Sequence, residues 1–218
     1  MSSIYIISDI HGCKQELMQL YAKITFHNNG NTGRKIICVG DYIDRGPDSK
    51  GVIDFVMAAQ KEDKLFEWIA LMGNHEDMML HDKYCWSTNG AFECLASYDA
   101  ENPSYEKIPQ EHKDWVYNLP LYHVENAVAI AHAGIPAQVN VENADPQYLL
   151  WSRELRMAPH GTYKYTVHGH TPMKNAIVDV DVAYIDTACV FGGKLCALFI
   201  PDTKDPNSEQ MELLFHRD

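Results

Sequence analysis

Cysteine is sparse and scattered along this chain. Cys13, Cys38, Cys85, Cys94, Cys189 and Cys196 form no CxxC pair and no dense framework, which argues against a disulfide scaffold or a closed thiolate metal site. Positive charge is also scarce. There are 18 Lys and Arg against 30 Asp and Glu, a net charge of −12 with no basic cluster, and a nucleic-acid backbone would be repelled. No apolar run approaches the roughly 20 residues of a membrane-spanning helix. The start, "MSSIYIISD", has no basic leader, long apolar core or cleavage site, so the expected location is the cytoplasm, with no membrane partner. Linker-like, low-complexity, repeated and heptad segments are absent as well, and one domain over 1–218 is expected.

What is present is a chain with 46% hydrophobic and 22% charged residues, enough apolar material for a sizeable core. Short runs rich in Ile, Val and Tyr end in polar clusters: "IYIIS" at 4–8, "KIICVG" at 35–40, "LFEWIALMG" at 65–73 and "AVAIAHAG" at 127–134. These read as strands. Leu17, Leu20, Tyr21 and Ile24, and then Val52, Ile53, Val56 and Met57, have helical spacing between them, the alternation of a parallel α/β sheet. "YKYTVHGHT", "NAIVDV", "VAYIDTA" and "KLCALFIP" follow at short intervals and predict a second, antiparallel sheet. Residues 76 to about 120 read as a helical insert, its aromatics Tyr84, Trp86, Phe92, Tyr98, Trp115 and Tyr117 mostly core.

The strand ends carry an unusual set of polar residues: Asp9 and His11 in "SDIHG", Asp41, Asp44 and Arg45 in "GDYIDRG", Asn74 and His75 in "GNHE", His132 in "AHAG", and His168 and His170 in "VHGHT". Singly, each has a plain reading as a helix cap, an Asx turn, a packed imidazole or a turn residue. Together they point to one crevice at the C-terminal ends of parallel strands. Carboxylate, amide and imidazole donors suit two ions of Mn, Fe or Zn. Asp9, His11 and Asp41 would serve one ion and Asn74, His132 and His170 the other, with Asp41 bridging because a carboxylate offers two oxygens. Asp44, Arg45 and His75 are left for chemistry. Glu76 reads as a first-turn acid, His168 as a packed imidazole on the same strand face as His170, and His81, His123 and His160 as ordinary.

In order and spacing, "DIHG", "GDYIDRG", "GNHE", "AHAG" and "GHT" resemble the metallophosphatase family of serine/threonine protein phosphatases, especially its short bacterial and phage members. "LLWSRE" at 149–154 and "IDTACVFGGKL" at 185–195 also resemble family segments. The resemblance implies a calcineurin-like two-sheet β-sandwich flanked by helices, with a dinuclear site at the strand ends and the ligand set given above; Mn is the expected metal, with Fe and Zn as alternatives. It further implies His75 as general acid assisted by Asp44, Arg45 as a phosphate-binding group, and a second arginine past the "AHAG" strand, for which Arg153 is the candidate and Arg156 the alternative. One departure is that Ala188 stands where the family has glycine in "DTG", a position where positive φ would be costly for alanine.

The implied reaction is removal of phosphate from phosphoserine and phosphothreonine of a phosphoprotein, with phosphotyrosine as a further substrate, by in-line attack of water activated between two ions. His75 would protonate the leaving alkoxide, with Asp44 raising its pKa, while the arginines hold phosphoryl oxygens. Symmetrical hydrolysis of diadenosine tetraphosphate is the neighbouring possibility, disfavoured because those chains run longer. A noncatalytic phosphate-binding scaffold is a third, disfavoured because no ligand is missing.

Overall fold

The computed structural model describes residues 3–155 and 163–217; Arg156 and His160 lie outside the described residues. Five elements open the chain: β1 (Ile4–Ile7), α1 (Lys14–Asn28), β2 (Arg34–Cys38), α2 (Ser49–Glu62) and β3 (Phe66–Ala70). Leu17, Leu20 and Ile24, spaced three and four apart, are the buried stripe of α1. The Asp48 carboxylate caps α2 by accepting the Gly51 N–H at 2.8 Å, and Val52, Ile53 and Val56 turn inward. β1, β2 and β3 pair in parallel, as the alternating pattern predicts.

The insert comprises α3 (Asn74–His81), α4 (Lys83–Ser87), α5 (Ala91–Tyr98) and α6 (Gln110–Tyr117). It therefore starts two residues before the expected 76, placing Asn74 and His75 in the first turn of a helix. Its aromatics divide. Trp86 is buried and Tyr98 and Trp115 pack against the core, but Tyr84, Phe92 and Tyr117 are exposed, because a thin insert has one face toward the domain and one toward water.

β4 (Tyr122–Glu125), β5 (Val128–Ala131), α7 (Pro146–Trp151), β6 (Tyr165–His168), β7 (Ile177–Val178), β8 (Val182–Tyr184), β9 (Cys196–Ile200) and β10 (Glu212–Phe215) follow. The described residues form two five-stranded sheets, β10-β9-β1-β2-β3 and β4-β5-β6-β8-β7. The expectation of a separate antiparallel C-terminal sheet is corrected here: β5, β6 and β8 run parallel, and β9 returns to pair antiparallel with β1 in the first sheet. Short spacing suggests hairpins, and β7 with β8 is one, but β6 pairs parallel with β8 and β9 crosses to the first sheet.

Ile4 and Ile6 point between the sheets with Ile37, Val128, Ile130 and Val167. Tyr5 and Ile7 point the other way, into the layer with Leu17, Val52 and Trp86. Both faces of the first sheet are thus buried, which is why its strands show no polar alternation. Every strand that precedes a polar motif (β1, β2, β3, β5 and β6) ends at the same edge of the sandwich.

The turn from α2 into β3 depends on Asp63. Burial pushes its carboxyl up, but hydrogen bonds from Trp68 Nε1, the Leu65 and Phe66 N–H groups and the Tyr21 hydroxyl outweigh burial and hold it below its ordinary value. A lowered folded pKa gives stability that is present above the unfolded value and lost as pH falls through the folded one. Asp63→Asn is expected to cost about 1 kcal/mol at pH 7, after allowance for solvent screening. In urea titrations the difference from the parent should close below about pH 4.

Candidate active site

The five motifs meet. Asp9, His11, Asp41, Asp44, Asn74, His75, His132 and His170 are all buried, none more than 6% exposed. The backbone is bent to place them: His11, Asp41, Asp44, Arg45, His170 and Ala188 have φ of 44°, 53°, 74°, 66°, 64° and 58°, a region costing a non-glycine residue about 1–2 kcal/mol. Such strain persists only where surrounding contacts fix it, and it concentrates at functional sites. Gly40 and Gly73 allow the "GDYID" and "GNHE" turns to touch, because a Cβ on Gly40 would strike the Gly73 nitrogen.

Glu76 holds these two turns together. Its carboxylate accepts the N–H groups of Asp41, Tyr42 and Gly73 at 2.9, 2.8 and 2.9 Å and that of Ile43 at 3.3 Å. It is fully buried, and burial pushes it up to about 7. It is thus a tether for the strained loop more than a helix-dipole acid. The signal for this was its position three residues after Gly73, the spacing of a capping box.

The donor set fits two cations. Nδ1 of His11 donates to the Ile43 carbonyl at 2.8 Å and Nδ1 of His132 to the Val39 carbonyl at 3.0 Å, so each Nε2 presents a lone pair inward. Those nitrogens face the two oxygens of one carboxylate, His11 Nε2 at 3.3 Å from Asp41 Oδ2 and His132 Nε2 at 3.5 Å from Asp41 Oδ1. Burial holds both imidazoles well below their ordinary pKa and pushes Asp41 well up. Acceptors facing acceptors in a dry pocket are relieved by a cation between them. Around the second position, His132 Nε2, Asn74 Oδ1 and His170 Nδ1 are 2.9, 3.1 and 2.9 Å apart. Ligands about 2.1 Å from an ion stand about 3.0–3.4 Å from one another.

Two groups of donors result, His11 with Asp41 and His75, and Asp41 with His132 and His170. Asn74 adds its amide oxygen to the second. Asp9 is in neither group: both of its oxygens accept the His170 N–H, at 3.1 and 2.9 Å. Burial and then the neighbouring Asp186 push its carboxyl up. Asp186, 5% exposed, is a second buried acid that the sequence reading did not single out. Divalent ions bound to these donors would polarise a phosphoryl oxygen and lower the pKa of water.

His75 Nδ1 lies 2.6 Å from Asp44 Oδ2, and Trp86 Nε1 donates to both Asp44 oxygens at 2.9 Å. Trp86 is therefore a site residue, recognisable only once α4 is folded against the loop. Asp44 was expected to raise the pKa of His75. Instead burial, and after it the Arg45 guanidinium, pushes His75 down to about 3, while burial pushes Asp44 well up. The 2.6 Å contact places a shared proton between Asp44 Oδ2 and His75 Nδ1.

Arg45 Nη1 reaches His11 Nε2 at 2.7 Å, and its guanidinium lies 5.5 Å from the centroid of the exposed Phe191 ring. A cavity of about 110 Å³ opens above the donors, and its walls include Arg45, His75, Arg153, Pro172 and Phe191. Arg153, the first residue but one after α7, thus joins Arg45 at the mouth. Of the histidines set aside, His168 donates Nδ1 to the Ala131 carbonyl at 3.1 Å, and His81 and His123 pair with Asp77 and Glu125.

The family model for calcineurin-like phosphoesterases matches residues 2–201. The chain belongs to this family. Among curated relatives, serine/threonine-protein phosphatase 1 of Salmonella typhimurium is 31% identical over 205 residues, covering 88% of this chain and 89% of the relative. The asymmetrical bis(5'-nucleosyl)-tetraphosphatase PrpE of Anoxybacillus flavithermus is 31% identical over 226 residues, 90% of each. A crystal structure of a protein proposed to be a diadenosine tetraphosphatase superposes with a TM-score of 0.69 at 20% identity, over 98% of this chain and 93% of that one, a likeness in fold. This phosphoesterase therefore has the calcineurin-like arrangement of two sheets with its candidate metal donors at the shared strand edge.

Ala188 keeps the left-handed conformation that glycine would adopt freely, φ 58° and ψ 42°. Ala188→Gly is expected to stabilise the protein by about 1 kcal/mol, seen as a higher urea midpoint with an unchanged m-value.

Proposed function

We propose that this phosphoesterase is a phosphomonoesterase that removes phosphate from phosphoserine and phosphothreonine side chains, using Mn in preference to Fe or Zn. The carrying observation is the buried Asp44–His75 pair at 2.6 Å, turned toward a cavity of about 110 Å³. That cavity admits a phosphoryl group and leaves the rest of the substrate outside. An alkoxide leaving group needs a proton as its bond to phosphorus breaks, and a positioned imidazole supplies one; a nucleotide leaving from a phosphoanhydride departs as a stabilised anion without it. Arg45 and Arg153 would grip phosphoryl oxygens in forked geometry. The net charge of −12 favours a protein substrate over nucleic acid.

The second reading is asymmetrical hydrolysis of a dinucleoside tetraphosphate, supported by relatives of that name whose length this chain covers to about nine-tenths. Chain length, which disfavours the symmetrical hydrolases, does not disfavour these. The test compares a phosphothreonine peptide with diadenosine tetraphosphate on Mn-loaded protein. Faster phosphate release from the peptide supports the proposal; preferred cleavage of the dinucleotide into AMP and ATP moves the assignment to nucleotide hydrolysis.

Arg153→Ala is expected to raise KM for the peptide about tenfold, and to weaken inhibition by inorganic phosphate similarly, with kcat changed less. Unaltered KM and phosphate inhibition would place the second phosphate-gripping arginine elsewhere.

A further inference from the structure

The loop from Thr187 to Lys194 has two sides. Phe191 faces the catalytic cavity, while Thr187, Gly192, Gly193 and Lys194 form one wall of a separate cavity of about 450 Å³. The remaining lining includes two more cations, Lys174 and Arg217, and an apolar surface of Ala176, Leu213 and Phe215. Among the described residues, no carboxylate lines this cavity. Three positive charges thus line one cavity in a chain of net charge −12. Among the described residues, none of the three is ion-paired to an acid.

The cavity is built. Arg217 Nη2 donates to the Gly192 and Gly193 carbonyls at 3.0 Å each, which fixes the guanidinium on the wall and leaves other N–H donors of its fork unused. Gly193 N–H donates to the Ala188 carbonyl at 3.0 Å and Lys194 N–H to that of Thr187 at 3.2 Å. A Cβ on Gly193 would strike the Thr187 carbonyl, so the loop closes as tightly as a backbone allows. Lys194 Nζ is 5.4 Å from the centroid of the Phe215 ring, holding charge beside an aromatic face.

Cavities of about 300–1,000 Å³ with an apolar surface and a few placed polar groups are the usual form of small-molecule sites. Unneutralised cations select an anion, and a bare anion would leave the Ala176, Leu213 and Phe215 surface unfilled. We propose that this cavity binds a nucleoside phosphate, its phosphates on Lys174, Lys194 and Arg217 and its base against Phe215 and Leu213. The site is separate from the catalytic one and does not depend on which phosphoester is hydrolysed there.

Calorimetric titration of ADP into the full chain, in chelator so that no divalent ion recruits it to the catalytic donors, tests the assignment. Binding of one ADP per chain is expected. It should persist in the Arg45→Ala, Arg153→Ala double variant and weaken at least tenfold in the Lys174→Ala, Lys194→Ala double variant. Should the latter fold poorly, Lys174→Glu alters only an exposed side chain and should weaken ADP at least as much. Absence of binding, loss of it with the two catalytic-side arginines, or indifference to the lysines would overturn the proposal. Inorganic phosphate binding as tightly as ADP would overturn the nucleoside part.

Discussion

His75→Asn is expected to lower kcat on a phosphothreonine peptide by about 10²- to 10⁴-fold while leaving the bound metal unchanged. Asparagine retains a polar group near Asp44 but has no proton to give at the Nε2 position, so the loss falls on departure of the alkoxide. Two further readouts separate an acid from a structural residue. With p-nitrophenyl phosphate, whose leaving group needs little protonation, the loss in kcat should be markedly smaller. Metal content decides the second point, because the His75 ring lies in the same donor group as His11 and Asp41. Loss of one ion from the variant would make His75 a ligand and remove it from the role of acid.

Asp41→Asn is expected to have a larger effect on the protein as a whole. Asp41 is the one carboxylate shared by both donor groups, with one oxygen toward His11 and the other toward His132. Asparagine keeps the oxygen that accepts the His75 N–H, now at 3.0 Å, so the loop should hold. It removes the negative charge that both cations would share. Metal analysis after gel filtration should fall from about two ions per chain to fewer than one, and kcat by about 10³-fold or more. Asp9→Asn, at a residue outside both groups, should affect one ion at most. If Asp41→Asn retained two ions, the bridging assignment would be wrong.

How much of this was legible in the sequence depended on whether a motif carried its own geometry. "SDIHG", "GDYIDRG", "GNHE", "AHAG" and "GHT" each follow a strand, and parallel strands of one sheet deliver their C-terminal ends to one edge; that Asp41, after β2, meets His132, after β5, further requires the two sheets to stack with those edges together. The positive φ at Ala188 followed from its place in "DTA". What the sequence withheld were contacts between elements far apart in the chain. Trp86 looks like any core aromatic until α4 sets its indole N–H on Asp44, 42 residues away. Glu76 resembles a first-turn acid until the "GDYID" loop folds onto it. Strand exchange was illegible for a similar reason: β9 reads as the next strand of a local sheet, yet its fully apolar sequence is buried on both faces beside β1. The β4–β5 hairpin, by contrast, carried a signal that was overlooked, in Asn126 at the tight turn with φ 56°.

The pKa pattern qualifies the family expectation in one respect. Asp44 orients the His75 ring, but burial and Arg45 work against charging it, and burial pushes Asp44 up, so the pair acts as one unit. Trp86 limits that tendency, since an indole N–H donated to both oxygens favours the charged carboxylate. Trp86→Phe is therefore expected to raise the Asp44 pKa further, seen as a shift of the kcat–pH profile toward higher pH.

Whether Asp41 lies between two divalent ions is decided by anomalous scattering at the Mn edge from crystals grown with Mn. The account predicts two peaks about 3.5–4 Å apart, one against Asp41 and His11 and the other against Asp41, Asn74, His132 and His170. A single peak, or two peaks that do not share Asp41, would contradict it.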